Sequence, residues 1–400
     1  MVNGMWKKCN WRDFMKVCIV AMTGLYPLDI GGPAPVAYFL AKELNRNGID
    51  VMMFIRADSE KNLKFKNTEE IKELKRTEII PIDVTYNAKT FLNIQSLIYK
   101  VLEANKRFKE ILKDVDVIFY NSPPVDVVLC FPFISKQSSK KQVFALHGGL
   151  FYESKNLVGK LLMQLQKNWF DKVVAVSAFS RDIALKFGFS RDKIEIISNG
   201  IDLDPIRAAE PFNLLGCPKI LHVGRLAQIK GVDTLLKAFS IIIKNFPEAH
   251  LYLVGDGPER SNLEKLSDSL GIMGNTHFEG FIPPGKDVFR YYKSCDLFVM
   301  PSHKETFGIT LLEAMASKIP VIVADIDGGP RELIKNGENG FLFPVGDYKI
   351  LAEKIIEVFE NKNLMEKFVS ENYSLIEDRY TWRKIILKYM ALFKTLERKN

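Results

Sequence analysis

Lys219-Ile220-Leu221-His222-Val223-Gly224-Arg225-Leu226-Ala227-Gln228-Ile229-Lys230-Gly231-Val232 is the stretch on which the fold turns. A short apolar run closes on Gly224, a loop carries one Arg and one Lys, and an apolar period of three to four residues opens at Val232. From there Val232, Leu235, Leu236, Phe239, Ile242, Ile243 and Phe246 share one helical face, and Pro247 stops the helix. Strand, loop and helix in this order begin a βαβ series, which builds a parallel sheet. Further strands are predicted at His250–Val254, Thr276–Gly280, Leu297–Pro301 and Pro320–Ala324.

Toward the N-terminus the same plan has already run once. Strands are predicted at Lys16–Thr23, Asp50–Arg56, Glu78–Val84, Val117–Asn121, Gln142–Leu146, Lys172–Ser177 and Ile194–Ile197. Between the first two, Ala34–Asn47 places Val36, Phe39, Leu40 and Leu44 on one face, with Gly48 as a cap. The restart predicts an α/β fold of two doubly wound, Rossmann-like domains facing across a cleft. Residues 1–205 form the first domain and residues 206–380 the second. The hinge is expected between Asp204 and Leu215, near the cluster of Pro205, Pro211, Gly216 and Pro218. Residues 381–400, with a helix at Thr381–Leu396, are expected to pack back on the first domain.

Composition agrees with this size. The 400 residues are 47% hydrophobic and 26% charged, ordinary for a globular chain of two or three domains. Five scattered cysteines (Cys9, Cys18, Cys130, Cys217, Cys295) form no Cys-x-x-Cys pair, so a reduced, mostly buried set in a cytoplasmic protein is expected. No apolar run approaches the roughly 18 residues of a membrane span. Residues 1–14 lack a signal-peptide pattern and read as a loose extension, with Met15 a possible start. Net charge is +8, and residues 1–205 hold 30 Lys/Arg against 23 Asp/Glu. This basic half suits anionic partners or is simply a solvated lysine face. Nucleic acid is the weaker reading, because the basic residues form no strip interleaved with aromatics.

Ligands of doubly wound sheets bind outside the carboxyl ends of the strands, and the polar motifs cluster there. After the strand ending at Pro301, Glu305 lies in a loop and a helix opens near Phe307-Gly308-Ile309, with Glu313 about two turns in. Free amides of that first turn suit phosphate or hydroxyl oxygens, and the two carboxylates suit vicinal diols. Arg225 and Lys230 stand in one loop above a helix start, placed to neutralise a diphosphate. Gly31 and Gly32 follow the first strand without the spacing of a dinucleotide or P-loop fingerprint. His147 ends a strand beside Gly148 and Gly149.

Glu305-Thr306-Phe307-Gly308-Ile309-Thr310-Leu311-Leu312-Glu313 resembles the E-x7-E signature of retaining glycosyltransferases of family 4, glycogen synthase- and mannosyltransferase-like enzymes of the GT-B fold. The family has Gly where Thr306 stands. Gly224-Arg225-Leu226 with Lys230-Gly231 resembles its G-R-L…K-G loop. Ser198-Asn199-Gly200-Ile201-Asp202, Gly255-Asp256-Gly257-Pro258 and Gly328-Gly329-Pro330-Arg331-Glu332 are similar to further family segments. The resemblance implies that Glu305 and the amides at Phe307, Gly308 and Ile309 hold the donor sugar. It implies that Glu313 meets the ribose, Arg225 and Lys230 the pyrophosphate, and Gly255 and Gly257 the region of the base. Gly31 and Gly32 match a Gly-Gly loop at the donor, and His147 a histidine near the sugar and acceptor.

The implied reaction moves a hexosyl unit from a UDP- or GDP-sugar to a glycan or lipid-linked hydroxyl with retained configuration. No cofactor is expected. The two Asp-x-Asp pairs, Asp202/Asp204 and Asp325/Asp327, belong to other motifs, and no zinc-spaced cluster occurs, so no metal is expected either. An epimerase of the same fold and a non-catalytic nucleotide-sugar binding module are the alternatives. Leu157, Leu161, Leu162 and Leu165 with Lys155, Lys160 and Lys167 fit either a core helix with a lysine face or peripheral contact with an anionic membrane.

Overall fold

A computed structural model describes residues 15–21, 33–56, 69–82, 112–121, 140–147, 167–283 and 285–397. Gly31, Gly32, Gly148, Gly149, Cys9, Cys130 and the segment 155–166 therefore lie outside the described residues.

The chain divides into two compact units. Met1–Val176, Ser180–Ile197 and Ile386–Asn400 make the first, and Ser177–Phe179 with Ser198–Ile385 the second. The first sheet contains β1 (Lys16–Ala21), β2 (Asp50–Arg56), β3 (Thr77–Ile82), β4 (Val117–Asn121), β5 (Lys141–Leu146), β6 (Lys172–Ala175) and β7 (Ile194–Ile196). Their order is β3-β2-β1-β4-β5-β6-β7, with parallel pairing throughout. Crossing from β1 to both sides in this way creates the strand-order reversal that doubly wound folds use for ligands.

Helix α1 (Pro33–Arg46) connects β1 to β2. Val36, Leu40 and Leu44 are buried as expected, but Tyr38 rather than Phe39 completes the covered face. The Tyr38 hydroxyl reaches the Glu73 carboxylate of α2 (Glu69–Glu73) at 2.9 Å, which satisfies its polar end while the ring stays covered. Helix α3 (Ala178–Lys186) follows β6.

The second sheet contains β8 (Lys219–Val223), β9 (His250–Val254), β10 (Thr276–Gly280), β11 (Leu297–Met300), β12 (Val321–Ala324) and β13 (Phe341–Phe343). Its order, β10-β9-β8-β11-β12-β13, repeats the reversal of the first sheet. Its helices are α4 (Leu203–Ala208), α5 (Val232–Asn245), α6 (Arg260–Ser269), α7 (Lys286–Ser294), α8 (Ile309–Ala316), α9 (Gly329–Leu333), α10 (Tyr348–Glu360) and α11 (Lys362–Leu375). In α5, Leu235, Leu236, Phe239 and Ile242 are fully buried against the sheet, each contributing about 1.5–3 kcal/mol at most. The helix stops at Asn245, one residue before the expected end, and Phe246 follows in an extended turn.

The two compact units divide at Ile197/Ser198. Residues 204–215, where the sequence places a hinge, pack on α7: Lys293 Nζ donates to the Ala209 carbonyl at 2.7 Å, and the Arg290 guanidinium lies 3.7 Å from the Phe212 ring centroid. Among the described cysteines, Cys18 and Cys295 are buried and Cys217 is exposed. The strand β13 went unpredicted, because three apolar residues between Gly340 and Pro344 give almost no alternation to read.

Helix α12 (Trp382–Glu397) begins in the second unit, and from Ile386 it belongs to the first. There Tyr389 and Phe393 pack edge-on against Phe119 of β4, with centroids 5.5 and 6.2 Å apart.

Candidate active site

At the carboxyl edge of the second sheet, four loops are locked together by their backbones. The β8 loop meets the β9 loop through Gly224 N to Val254 O at 2.9 Å and Leu226 N to Asp256 O at 3.0 Å. A Cβ on Gly255 would stand 1.9 Å from the Gly224 carbonyl oxygen, and one on Gly257 would stand 2.2 Å from that of Leu226. Gly255 also has φ near +140°, a conformation that disfavours side chains. Both glycines are therefore demanded by loop-on-loop packing, whatever else they do.

The β8 loop is also tied to the β11 loop. His303 N donates to the Ile229 carbonyl at 2.8 Å, and a Cβ on Gly231 would lie 2.2 Å from the Pro301 carbonyl oxygen. This docking carries Lys230 to Glu305, with Nζ to carboxylate oxygen at 2.5 Å. Both side chains are only partly exposed, so the pair is less screened than a surface ion pair. Arg225 is exposed in the same loop.

Past Glu305 the chain turns through Gly308, whose φ of 85° places it in the left-handed region before α8. Thr306 and Phe307 are buried, and the Phe307 ring lies 6.3 Å from the Tyr380 ring. Only the backbone of Phe307 is thus offered at the helix start, beside the half-buried Ile309. The helix opening supplies unpaired amides and the positive end of the dipole. The β12 loop closes this turn from behind: Gly329 N donates to the Thr306 carbonyl at 3.1 Å, and a Gly329 Cβ would lie 1.8 Å from the Phe307 carbonyl oxygen.

Glu313 projects from α8 to Tyr292 of α7, whose hydroxyl oxygen lies 2.9 Å from the carboxylate and 3.1 Å from the Thr310 carbonyl, so that its one proton is shared between them. Burial raises the Glu313 carboxyl to about 7, against the opposing pull of the Tyr292 hydrogen bond. Tyr292 carries no motif of its own and was missed. Under the loops, His222 is buried within β8 and its Nδ1 hydrogen-bonds the Val299 carbonyl at 3.0 Å. Burial depresses its pKa to about 4, and its Nε2 has no hydrogen-bond partner.

The Asp-x-Asp pairs are engaged elsewhere. Arg331 binds Asp325 and Asp327, each at 2.5 Å, and the Asp202 side chain accepts from Asp204 N at 3.1 Å. Among the described residues, no group of His, Cys, Asp and Glu is arranged to hold a metal ion. The Ser198–Asp202 segment braces the chain: Ile201 N donates to the Tyr380 carbonyl at 2.8 Å, and a Gly200 Cβ would lie 2.8 Å from the Trp382 ring.

In the first unit, His147 follows β5 and its Nε2 lies 2.8 Å from Asn121 Oδ1 at the end of β4. Burial lowers its pKa to about 4. The loops carrying Arg225, Lys230, Gly255, Gly257, Glu305, Phe307 and Gly308 thus meet at one sheet edge, Ile309 and Glu313 lie on the helix that opens there, and His147 follows β5 of the other sheet.

Comparison with known proteins matches residues 210–375 to the family described as glycosyl transferases group 1, and residues 30–205 to glycosyltransferase family 4. Over 252 residues the chain is 28% identical to the phosphatidyl-myo-inositol mannosyltransferase of Mycobacterium leprae, covering 61% of this chain and 65% of that one. Over 208 residues it is 29% identical to the lipopolysaccharide core biosynthesis glycosyltransferase LpsE of Rhizobium meliloti, covering 51% and 58%. The matched stretches thus span less than two thirds of these two relatives' own lengths. Among solved structures, Anabaena Alr3699/HepE in complex with UDP-glucose superposes with a TM-score of 0.72 at 21% identity, covering 95% of this chain and 100% of that one.

Proposed function

The chain belongs to the group 1 glycosyltransferases, with a family 4 region in its first half and the GT-B architecture, and from that premise we propose that it is a retaining hexosyltransferase. It moves a hexosyl unit from a UDP- or GDP-sugar to a hydroxyl of a glycan or lipid-linked acceptor. The observation that carries this reading is the Lys230–Glu305 pair beside the Gly308-opened helix start. A cation, a carboxylate and free amides from two loops converge there, the set that a sugar diphosphate needs.

In this reading Lys230 turns to the diphosphate as a point charge and Arg225 grips it with its fork. Glu305, released from Lys230, accepts from sugar hydroxyls, and Glu313 accepts from the ribose. As the glycosidic bond breaks, negative charge grows on the leaving phosphate while the sugar becomes oxocarbenium-like. Arg225, Lys230 and the amides at Phe307, Gly308 and Ile309 favour that charge distribution over the ground state. The leaving phosphate takes the acceptor proton. A His147 with a pKa near 4 is too weak a base for that task at neutral pH, which supports a hydrogen-bonding role instead.

Gly31 and Gly32 belong to the proposal as donor-loop glycines on the strength of the family resemblance alone. Gly255 and Gly257 shape the base end of the site by letting the β9 loop close on the β8 loop. No metal or cofactor is proposed. The engagement of Asp325 and Asp327 by Arg331 supports this, and EDTA is expected to leave activity intact. A cytoplasmic setting with peripheral contact at an anionic membrane also belongs to the proposal. No helix among the described residues is long and apolar enough to cross a membrane. Sedimentation with anionic but not neutral vesicles tests the contact.

A thermal-shift screen of UDP, GDP, ADP and their sugars tests the donor, since ligand at a hundredfold over Kd stabilises the native state by about 2.7 kcal/mol. One nucleotide sugar is expected to raise Tm. NMR of the transfer product then reads the anomeric configuration. Indifference to every nucleotide sugar would sink the reading, and epimerised sugar formed from donor alone would favour the epimerase.

A further inference from the structure

Asn121 has no place in any of the family motifs, yet its side-chain amide is paired with the His147 ring. Asn121 is the last residue of β4, is fully buried, and stands in register with Ala145 of the neighbouring parallel β5, two residues before His147. That register brings its Oδ1 within 2.8 Å of His147 Nε2. With the amide oxygen facing the ring, that atom can only accept, an arrangement that suits a proton on Nε2. In the neutral imidazole the lone pair then falls on Nδ1, which is buried and has no hydrogen-bond partner among the described residues.

We propose that Asn121 is a positioning residue that holds His147 as the Nε2-protonated tautomer and so leaves Nδ1 as an acceptor for a substrate hydroxyl. The inference rests on the glycosyl-transfer reading for its substrate, but the tautomer is a property of the free protein. A ring held in this state orients a hydroxyl without removing its proton. Burial acts in the same direction, since it disfavours the charged ring and keeps His147 neutral well below pH 7.

The chain has five histidines, so long-range ¹H–¹⁵N spectra of ¹⁵N-histidine-labelled protein are resolvable, with His147→Gln identifying the His147 signals. At pH 7 without substrate, His147 is expected to be neutral and Nε2-protonated. An Nδ1-protonated ring or an imidazolium in the wild type overturns the proposal without any variant. In Asn121→Asp, a carboxylate beside Nε2–H favours the charged ring. The His147 pKa should climb from about 4 to 6.5 or above, and the acid limb of the kcat–pH profile should move with it. In Asn121→Leu the tautomers should mix, and kcat should fall about 10- to 100-fold, the scale of losing an orienting partner. An unchanged tautomer in Asn121→Leu, or an unmoved pKa in Asn121→Asp, overturns it equally. If the wild type transfers no sugar from any nucleotide, the proposed function fails, while the spectra still decide what Asn121 does.

Discussion

The two sheets share one strand order but hold their polar groups by different means. In the second unit, backbone fixes the site: Gly224 packs on Gly255, Leu226 on Gly257, Pro301 on Gly231 and Phe307 on Gly329. In the first, the described link is between two side chains, Asn121 and His147. The histidines make the contrast sharp. His222 and His147 are both lowered to about 4 by burial, and each has one ring nitrogen paired and the other unpartnered. His222 is tied to the Val299 carbonyl, which no substitution deletes, whereas His147 is tied to an amide that one codon can change. A backbone-built site is robust to mutation except at its glycines, while a side-chain-built one can be retuned.

The largest effect is expected where charge is offered without structural duty. Arg225 is exposed, so Arg225→Ala should cut transfer by about 10²-fold or more with Tm unchanged. Near wild-type turnover would remove Arg225 from the diphosphate site. Next comes the loop-on-loop packing. In Gly255→Ala the new methyl meets the Gly224 carbonyl oxygen at 1.9 Å, and the loops must separate. A loss of about 1–3 kcal/mol is expected, with weakened nucleotide binding. Gly274→Ala, where nothing lies within 4 Å, is the control and should stay within about 0.5 kcal/mol. Equal denaturation midpoints for the two would show that the glycines do not hold the loops.

The smallest effect separates burial from ligand duty at Glu313. Its folded pKa, about 7, lies above the ordinary 4.5, so the native state binds the proton more tightly. The stability this contributes is present below pH 4.5 and is lost as pH rises through about 7. Glu313→Gln should flatten that slope in urea titrations across the window. Tyr292→Phe removes a hydrogen bond that opposes the shift, and should move the midpoint upward. An unchanged slope in the Gln variant would mean that Glu313 ionises as an ordinary glutamate.

Much of this was legible beforehand. The apolar runs of β2, β4, β8 and β9 match the predicted strands residue for residue, because buried parallel strands read as continuous apolar segments. Arg225, Lys230, Glu305 and Glu313 were legible through spacing and family resemblance. Tyr292, Asn121 and His222 were not, since each matters through a partner far away in sequence. The packing of residues 204–215 was not legible either, since Phe212 and the Ala209 carbonyl find their partners on α7, about 80 residues away.

Periodicity and motif order by themselves determined that this chain builds two parallel α/β sheets and puts its charged loops at strand ends, because both follow from local patterns of burial. Tertiary structure alone decided which loops touch, that Lys230 meets Glu305, and that Asn121 meets His147. Those outcomes depend on the register between strands distant in sequence, and no local pattern encodes register.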